Sequence, residues 1–233
     1  MQPAIWGVVP AAGIGMRMQA DRPKQYLPLA GKTVIQHSIE RLLSLECVEG
    51  VVVSIAADDP WWPTLEWSDA SKIAVVEGGA ERSDSVLHAL DWLAGNEQVT
   101  DSWVLVHDAA RPCLSQQDLL ALIDGVKADP VGGILAAPVA DTLKQAGTDQ
   151  TIVATVDRST LWRALTPQMF RLGMLRDALQ QSHIAGDPVT DDAQAIERLG
   201  HAPRLIEGSA SNLKITHPGD LVVAEEVLRG LEP

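Results

Sequence analysis

Short apolar runs alternate with helix-like segments between residues 5 and 138, and this alternation restricts the fold more than any other feature of the chain. Apolar strands separated by amphipathic helices predict βαβ units. We therefore expect an α/β fold with a Rossmann-like, doubly wound, mostly parallel sheet and helices on both faces. The predicted strands are Ile5–Pro10, Val51–Ala56, Ile73–Val76, Trp103–Val106 and Gly133–Pro138. The predicted helices are Thr33–Leu45, Arg82–Leu93, Gln116–Ala128, Leu172–Gln181, Asp191–Leu199 and Pro218–Leu231.

The alternation fails in residues 141–160, where two β-like segments flank Gly147-Thr148-Asp149. This pattern predicts a β-hairpin arm that projects from the α/β body. A projecting hairpin exposes unpaired strand edges, and the same arm of a second copy would cover them, so we predict a two-fold homodimer. The alternative is a hairpin that folds back on its own domain. Because no linker or repeat interrupts the sequence, we expect residues 1–233 to form one domain with the arm as an excursion.

The chain is acidic, with 31 Asp and Glu against 18 Lys and Arg and a formal net charge of −13. This balance argues against a nucleic acid or an anionic membrane as a partner, and an anionic ligand would need a local cluster of cations. Cys47 and Cys113 show no metal-ligand spacing and suggest no disulfide framework, which favours the reducing cytoplasm. We find no signal-peptide pattern in residues 1–7 and expect no membrane span.

A small-residue turn, Ala11–Gly15, follows the first predicted strand and precedes Arg17, Arg22 and Lys24. Glycine lets a backbone approach a ligand without Cβ clashes, and the N–H groups of such a turn bind anions. Fixed cations beside the α-phosphate of a nucleotide favour the transition state of nucleotidyl transfer. The segment is therefore predicted to bind a triphosphate, with Arg17 and Lys24 as the strongest candidates. The alternative is that both are ordinary surface cations.

The turn fits two familiar nucleotide motifs poorly. The dinucleotide-binding fingerprint needs a third glycine where Met18 stands. Gly31-Lys32-Thr33 resembles the end of a P-loop, but the earlier glycine that this motif requires is replaced by Tyr26.

The segment VLVHDAARP, residues 104–112, places Asp108 at the carboxyl end of a predicted strand. Such a carboxylate suits a Mg²⁺ ion that also binds substrate phosphates, and Arg111 could bind a second phosphate with two N–H groups. The alternative is that Asp108 caps the next helix or pairs with Arg111. We expect His107 to be structural, because attack by a phosphate oxygen needs no general base.

Two groups of polar residues remain ambiguous when they are considered singly. Gly78-Gly79 and Ser83–Ser85 could contact a nucleobase or ribose, or could form a loop and a helix N-cap. In the second half of the chain, Thr190 could be a helix cap and Lys214 a solvated residue of an extended segment. Similar polar groups occur at residues 141–142, 157–158, 165–168 and 212–216.

Taken together, these segments resemble the 2-C-methyl-D-erythritol 4-phosphate cytidylyltransferase family of the non-mevalonate isoprenoid route. The matching blocks are VVPAAGIGMRM, PKQYL, GGAERSDSV, VLVHDAARPC, GGILAAPVADTLK, VDRSTLW, ALTPQMF, VTDDAQAIE and NLKIT. They follow the family order and cover nearly the whole chain. PAAGxGxRM with PKQ also occurs in sugar-nucleotide pyrophosphorylases, whereas HDAARP, the arm with VDR, and LTPQ are typical of this enzyme.

The resemblance implies that CTP and 2-C-methyl-D-erythritol 4-phosphate react with Mg²⁺ to give 4-diphosphocytidyl-2-C-methyl-D-erythritol and pyrophosphate. The acceptor phosphate would attack the α-phosphorus in line. By matching position, the catalytic cations would be Arg17, Lys24 and Lys214, and Asp108 would be the Mg²⁺ ligand. The nucleotide-binding residues would be Pro10, Ala11, Ala12, Gly13, Gly15, Gly79 and Ser85. The acceptor-binding residues would be Arg111, Thr142, Arg158, Thr166, Thr190 and Thr216. In the family, the arm bearing Thr142 and Arg158 reaches the pocket of the other subunit.

The chain departs from the family pattern at Ala80, where many members have Asp after the glycine pair. If that Asp contacts the nucleotide, the contact is missing here, which bears on base selectivity. Two rival functions stay open. One is another nucleotidyltransferase of the same fold, with UTP or a different sugar phosphate as substrate. The other is a non-catalytic nucleotide-binding module.

Overall fold

A computed structural model describes residues 3–13, 21–96, 99 and 102–231 of the chain. Its strands are β1 (Ile5–Pro10), β2 (Pro28–Leu29), β3 (Lys32–Thr33), β4 (Val48–Ile55), β5 (Ile73–Glu77), β6 (Trp103–Val106), β7 (Gly132–Pro138), β8 (Leu143–Ala146), β9 (Ile152–Val156), β10 (Trp162–Arg171) and β11 (Arg204–Glu207). Its helices are α1 (Val34–Leu43), α2 (Arg82–Ala94), α3 (Gln116–Val126), α4 (Leu172–Ala185), α5 (Asp192–Arg198) and α6 (Pro218–Leu231).

Seven strands form the central sheet in the order β11-β7-β10-β6-β1-β4-β5. Strand β10 is antiparallel to β6 and β7, and the other neighbouring pairs are parallel. The predicted α/β class with a mostly parallel sheet is therefore confirmed. Strand β10 was not predicted, and Lys214, for which an extended segment was one interpretation, lies in no strand.

Helices cover both faces of the sheet, which explains why its central strands are apolar throughout. One core cluster packs α1 and α3 residues such as Ile39 and Leu122 against β1 and β4. The other packs α2, α4 and α5 against the opposite face through residues such as Leu90, Leu175 and Ile196. Burial on both faces fixes the strand ends, and hence the loops that follow them.

A smaller cluster joins α6 to the segment before it. Ile215 is fully buried with Ala224 and Leu228 of α6, and it packs with Val34 and Cys113. The Ile215 N–H donates to the Ala110 carbonyl over 2.8 Å. These contacts hold residues 213–216 beside the loop that follows β6.

The arm predicted at residues 141–160 is a hairpin of β8 and β9, which form a two-stranded sheet separate from the central one. Its turn is closed by a bond from the Gly147 N–H to the Thr151 carbonyl over 2.9 Å. Ile152 and Val153 of β9 are 67% and 64% exposed. None of the helices formed by the described residues combines the length and hydropathy that a bilayer crossing requires.

Candidate functional site

An open cleft of about 600 Å³ lies at the carboxyl ends of β1, β5 and β6. The loops that follow these three strands form its walls, together with Lys24, Gln25 and Lys214. Six of the residues predicted to bind a nucleotide line it, namely Pro10, Ala11, Ala12, Gly13, Gly79 and Ser85. The other predicted nucleotide residue, Gly15, and the predicted catalytic Arg17 lie outside the described residues.

A second cavity of about 480 Å³ adjoins the first. Three of the predicted acceptor-binding residues line it, namely Arg111, Thr166 and Thr190, together with Gln168 and Asp191. Arg82, Asp108 and Lys214 line both spaces. The two cavities are therefore two parts of one site that meet at Asp108.

The glycine turn after β1 is held by a buried glutamine that the sequence analysis did not single out. The side-chain amide of Gln25 donates to the carbonyls of Ala11 and Gly13 over 2.7 and 3.0 Å. Its neighbour Tyr26 is also buried and donates its hydroxyl to Asp59 over 2.7 Å. Because Gln25 and Tyr26 are both anchored, the half-buried Lys24 is held in place beside the turn. In the sequence, the block PKQYL was the only indication that these residues hold the turn.

Lys24 and Lys214 share the first cleft, although the chain separates them widely. The Lys24 ammonium donates to the Ile215 carbonyl over 2.9 Å. The Lys214 ammonium lies 2.9 Å from Oδ2 of Asp108. The packing of Ile215 under α6 thus brings both lysines to one place. Lys24 is therefore not the ordinary surface cation that was the alternative interpretation of the sequence.

Asp108 is surrounded by three cations. Its Oδ1 lies 3.0 Å from Nε of Arg82, and its Oδ2 lies 3.3 Å from Nε of Arg111 and 2.9 Å from Nζ of Lys214. Burial alone would raise the pKa of this carboxyl, but the three cations outweigh burial and hold the pKa well below its usual range. Asp108 is therefore ionised at neutral pH. The pairing with Arg111 that the sequence analysis left open is present.

The donor set around Asp108 bears on the predicted Mg²⁺ site. Among the described residues, no group of three or more His, Cys, Asp or Glu side chains could hold a metal ion. Mg²⁺ keeps several waters and needs only one or two carboxylates when substrate phosphates supply further oxygens. Asp108 is one ionised carboxylate of this kind, and Mg²⁺ would have to share or replace the contacts that its two oxygens make with Arg82, Arg111 and Lys214.

His107 and Thr166 form a buried hydrogen-bonded unit behind Asp108. Because the Arg111 carbonyl can only accept, the His107 Nε2–H donates to it over 3.0 Å, and Nδ1 accepts from the Thr166 hydroxyl over 3.0 Å. The same hydroxyl accepts the Asp108 N–H over 3.0 Å. Burial lowers the pKa of His107 to about 4, so the ring is neutral. These bonds give His107 the structural role that was expected, and Thr166 fixes the backbone of Asp108.

The loop between β5 and α2 closes the nucleotide side of the cleft. Ser85 is buried, and its hydroxyl accepts the Gly79 N–H over 3.1 Å and donates to the Glu81 carbonyl over 3.2 Å. The N-cap of α2 is Glu81, not a residue of the Ser83–Ser85 group. A Cβ on Gly78 would lie 2.5 Å from the Cβ of Ala12, so glycine permits the close approach of the two loops. Ala80, the residue that departs from the family pattern, lines the wall of the cleft.

The remaining predicted acceptor residues occupy different surroundings. Arg111 is buried and donates to the Asn212 carbonyl over 2.8 Å. Thr190 is exposed and precedes Asp191. The N-cap of α5 is Asp191, so Thr190 is not the helix cap that its sequence position suggested. The Thr216 N–H donates to Asp220 over 2.8 Å, and Thr216 lines neither cavity.

Thr142 and Arg158 flank the arm and are exposed. Neither residue lines either of the two cavities formed by the described part of this chain.

Arg82 and Asp192 are the main charged residues of the site to which no role was assigned from the sequence. Arg82 Nη2 lies 2.9 Å from Oδ2 of Asp192, which is fully buried. The only signal was their position inside the blocks GGAERSDSV and VTDDAQAIE, because nothing local indicates that the two residues form an ion pair.

Comparison with known proteins agrees with this geometry. The family model for 2-C-methyl-D-erythritol 4-phosphate cytidylyltransferase matches residues 5–230. A protein of that name from Pseudomonas entomophila is 56% identical over 219 residues, which are 94% of this chain and 93% of the relative. A crystal structure of a 4-diphosphocytidyl-2C-methyl-D-erythritol synthase superposes with a TM-score of 0.85 at 37% identity, covering 98% of this chain and 99% of that one. The 2-C-methyl-D-erythritol 4-phosphate cytidylyltransferase of Francisella tularensis gives 0.83 at 35% identity, covering 96% and 99%. The chain therefore belongs to the 2-C-methyl-D-erythritol 4-phosphate cytidylyltransferase family.

Proposed function

We propose that this chain transfers CMP from CTP to 2-C-methyl-D-erythritol 4-phosphate and releases pyrophosphate. The observation that supports this best is the convergence of Lys24 and Lys214 on a cleft that shares Asp108 with a second cavity. A nucleotide in the first cleft and a sugar phosphate in the second would meet at that junction. Family membership supplies the identity of both substrates.

In this mechanism, an acceptor phosphate oxygen attacks the α-phosphorus of CTP in line. A new bond forms between that oxygen and phosphorus, the bond to the β-phosphate oxygen breaks, and pyrophosphate leaves with the electron pair. The attacking oxygen is already anionic, so no general base is required. This agrees with the neutral, fully hydrogen-bonded His107.

The protein contributes mainly positioning and charge. Lys24, Lys214 and, by sequence match, Arg17 would stabilise negative charge that develops around the α-phosphorus. The backbone of residues 10–13, the loop between β5 and α2, and Ser85 at the start of α2 would bind the nucleotide. Arg111 and Thr190 would contact the acceptor, while Thr166 holds the loop behind it.

Mg²⁺ is part of this proposal. Asp108 would hold the ion together with phosphate oxygens and water. When bound, the ion would neutralise phosphate charge and so assist the departure of pyrophosphate.

We also propose that the arm joins two copies of the chain and that its Thr142 and Arg158 complete the acceptor pocket of the partner. The exposed Ile152 and Val153 on β9, and Trp162 just after the arm at 38% exposure, support a covered arm. In this arrangement residues 1–233 act as one nucleotidyltransferase domain. A cytoplasmic location completes the proposal, in keeping with unpaired Cys47 and Cys113.

The test is pyrophosphate release with CTP, UTP or GTP, each with Mg²⁺ and with or without 2-C-methyl-D-erythritol 4-phosphate. We expect release that needs both CTP and the acceptor. Release with UTP but not CTP would assign the chain to a different nucleotidyl transfer, and Ala80 would then be the first residue to examine. CTP binding without turnover would support the non-catalytic module.

A further inference from the structure

Arg82 occupies the junction of the two cavities and binds two carboxylates at once. Its Nε lies 3.0 Å from Oδ1 of Asp108, and its Nη2 lies 2.9 Å from Oδ2 of Asp192. Asp192 is fully buried, and its Oδ1 has no hydrogen-bond partner among the described residues. Arg82 is therefore the cation that compensates this buried charge.

The three residues belong to three different segments of the site. Arg82 is the first residue of α2 and directly follows the loop that lines the nucleotide cleft. Asp192 is the first residue of α5 and directly follows Thr190 and Asp191 of the acceptor cavity. Asp108 lies in the loop that follows β6. One guanidinium thus connects the nucleotide loop, the central carboxylate and the wall of the acceptor cavity.

The chemistry of the guanidinium suits this connection. Its N–H groups point in fixed directions within one plane, so two carboxylates bound to Nε and Nη2 are held at a set angle. A lysine ammonium is a compact point charge on a flexible chain and imposes no such angle. A second polar contact secures the same wall, since the Gln168 amide donates to Asp191 over 2.9 Å.

We propose that Arg82 is a positioning residue for the acceptor half of the site. It fixes Asp108 and the start of α5 relative to the nucleotide loop, so that the acceptor phosphate is aligned with the α-phosphorus. This inference rests on the proposed function, because it assigns the two cavities to the two substrates.

The test compares Arg82→Lys and Asp192→Asn with a matched control, Arg176→Lys. Arg176 pairs with Asp91 at 2.6 Å and also connects α4 to α2, but it lies outside both cavities. Steady-state kinetics would give kcat and the KM for each substrate. We expect Arg82→Lys to raise the acceptor KM by about 10-fold, with the CTP KM changed by less than about 2-fold. Asp192→Asn should shift the same KM in the same direction, and Arg176→Lys should match the unaltered protein.

Other outcomes would overturn the inference. A raised CTP KM would make Arg82 a nucleotide contact. A lower kcat with both KM values unchanged, together with less folded protein by circular dichroism, would make it merely structural. If Arg82→Lys does not fold, the test depends on Asp192→Asn. An unchanged acceptor KM in that variant would refute a positioning role for the Arg82–Asp192 pair. Absence of activity in the unaltered protein and the control would instead refute the proposed function.

Discussion

Replacing Lys24 by methionine should reduce kcat by two to three orders of magnitude while the protein stays folded. The methionine side chain has a similar length and removes the charge. Lys24 is half-buried, and its ammonium already donates to a carbonyl at 2.9 Å, so a phosphate oxygen could take a comparable position. A cation about 4 Å from a phosphate charge contributes about 4 kcal/mol at an effective dielectric constant of about 20.

Only part of this energy accelerates the reaction, because CTP carries negative charge before the transition state as well. Removal of one donor that stabilises developing charge typically costs about 3 to 4 kcal/mol of activation free energy, or about 10²- to 10³-fold in kcat. We therefore expect Lys24→Met to lower kcat by a factor in this range and to raise the KM for CTP by a smaller factor. The assay is pyrophosphate release at saturating concentrations of both substrates.

Lys32→Met is the matched control for this prediction. Lys32 lies in the same segment, but its side chain is 46% exposed and pairs with Glu40 at the surface. Surface pairs of this kind contribute little, so kcat should stay within about 2-fold of the original value. An unchanged kcat in Lys24→Met with a raised KM for CTP would refute the reasoning, since Lys24 would then bind ground state and transition state equally.

Two further predictions concern the arm and a buried histidine. Arg158→Ala should raise the acceptor KM more than it changes CTP binding. When Arg158→Ala and Lys24→Met are mixed 1:1 and refolded together, roughly a quarter of the normal activity should return. The reason is that about half of the dimers would contain one copy of each variant, and each of these would have one intact site out of two. No regain on mixing would mean that the arm does not serve a partner's site. Burial lowers the pKa of His37 from its ordinary value of 6.5, so its stabilising contribution is complete above that value and is lost as the pH falls below it. His37→Gln should therefore flatten the decline of the free energy of unfolding in urea titrations between neutral and acidic pH, and parallel curves for the two proteins would contradict this account.

The parts of the fold that were predictable are those where local pattern and tertiary environment agree. Strands β1 and β6 and helix α6 have the predicted bounds. The two strands are short, continuous apolar runs that are buried on both sheet faces, and α6 begins at a proline. Such segments have few alternative conformations that bury their side chains.

Strand β10 was not predictable because its sequence follows neither strand pattern. Thr166 and Gln168 lie in its middle, and both are buried through hydrogen bonds to other segments. The pairing with β7 shifts register between Ala164 and Gln168, as it does in a β-bulge. Bulges of this kind re-aim side chains next to functional sites, and only tertiary contacts compensate their polar residues.

The role of Arg82 was hidden for a similar reason. Its partners are 26 and 110 residues away in the chain, so no window around residue 82 contains the two carboxylates that pair with it. From the sequence alone, an arginine in the first turn of a helix is an ordinary solvated residue. The resemblance of whole blocks to the family indicated where the site lies, whereas the burial of its charges required the fold.

The charges of the site explain how an acidic chain of net charge −13 can accept two anionic substrates. Arg82, Arg111 and Lys214 surround one ionised carboxylate, Asp108, and Lys24 faces the same cleft. Without the carboxylate, these cations would repel one another in a partly desolvated space. Asp108 therefore keeps the cations together before substrates bind. Phosphate oxygens can then bind cations that are already assembled, so the cations need not be brought together during the reaction.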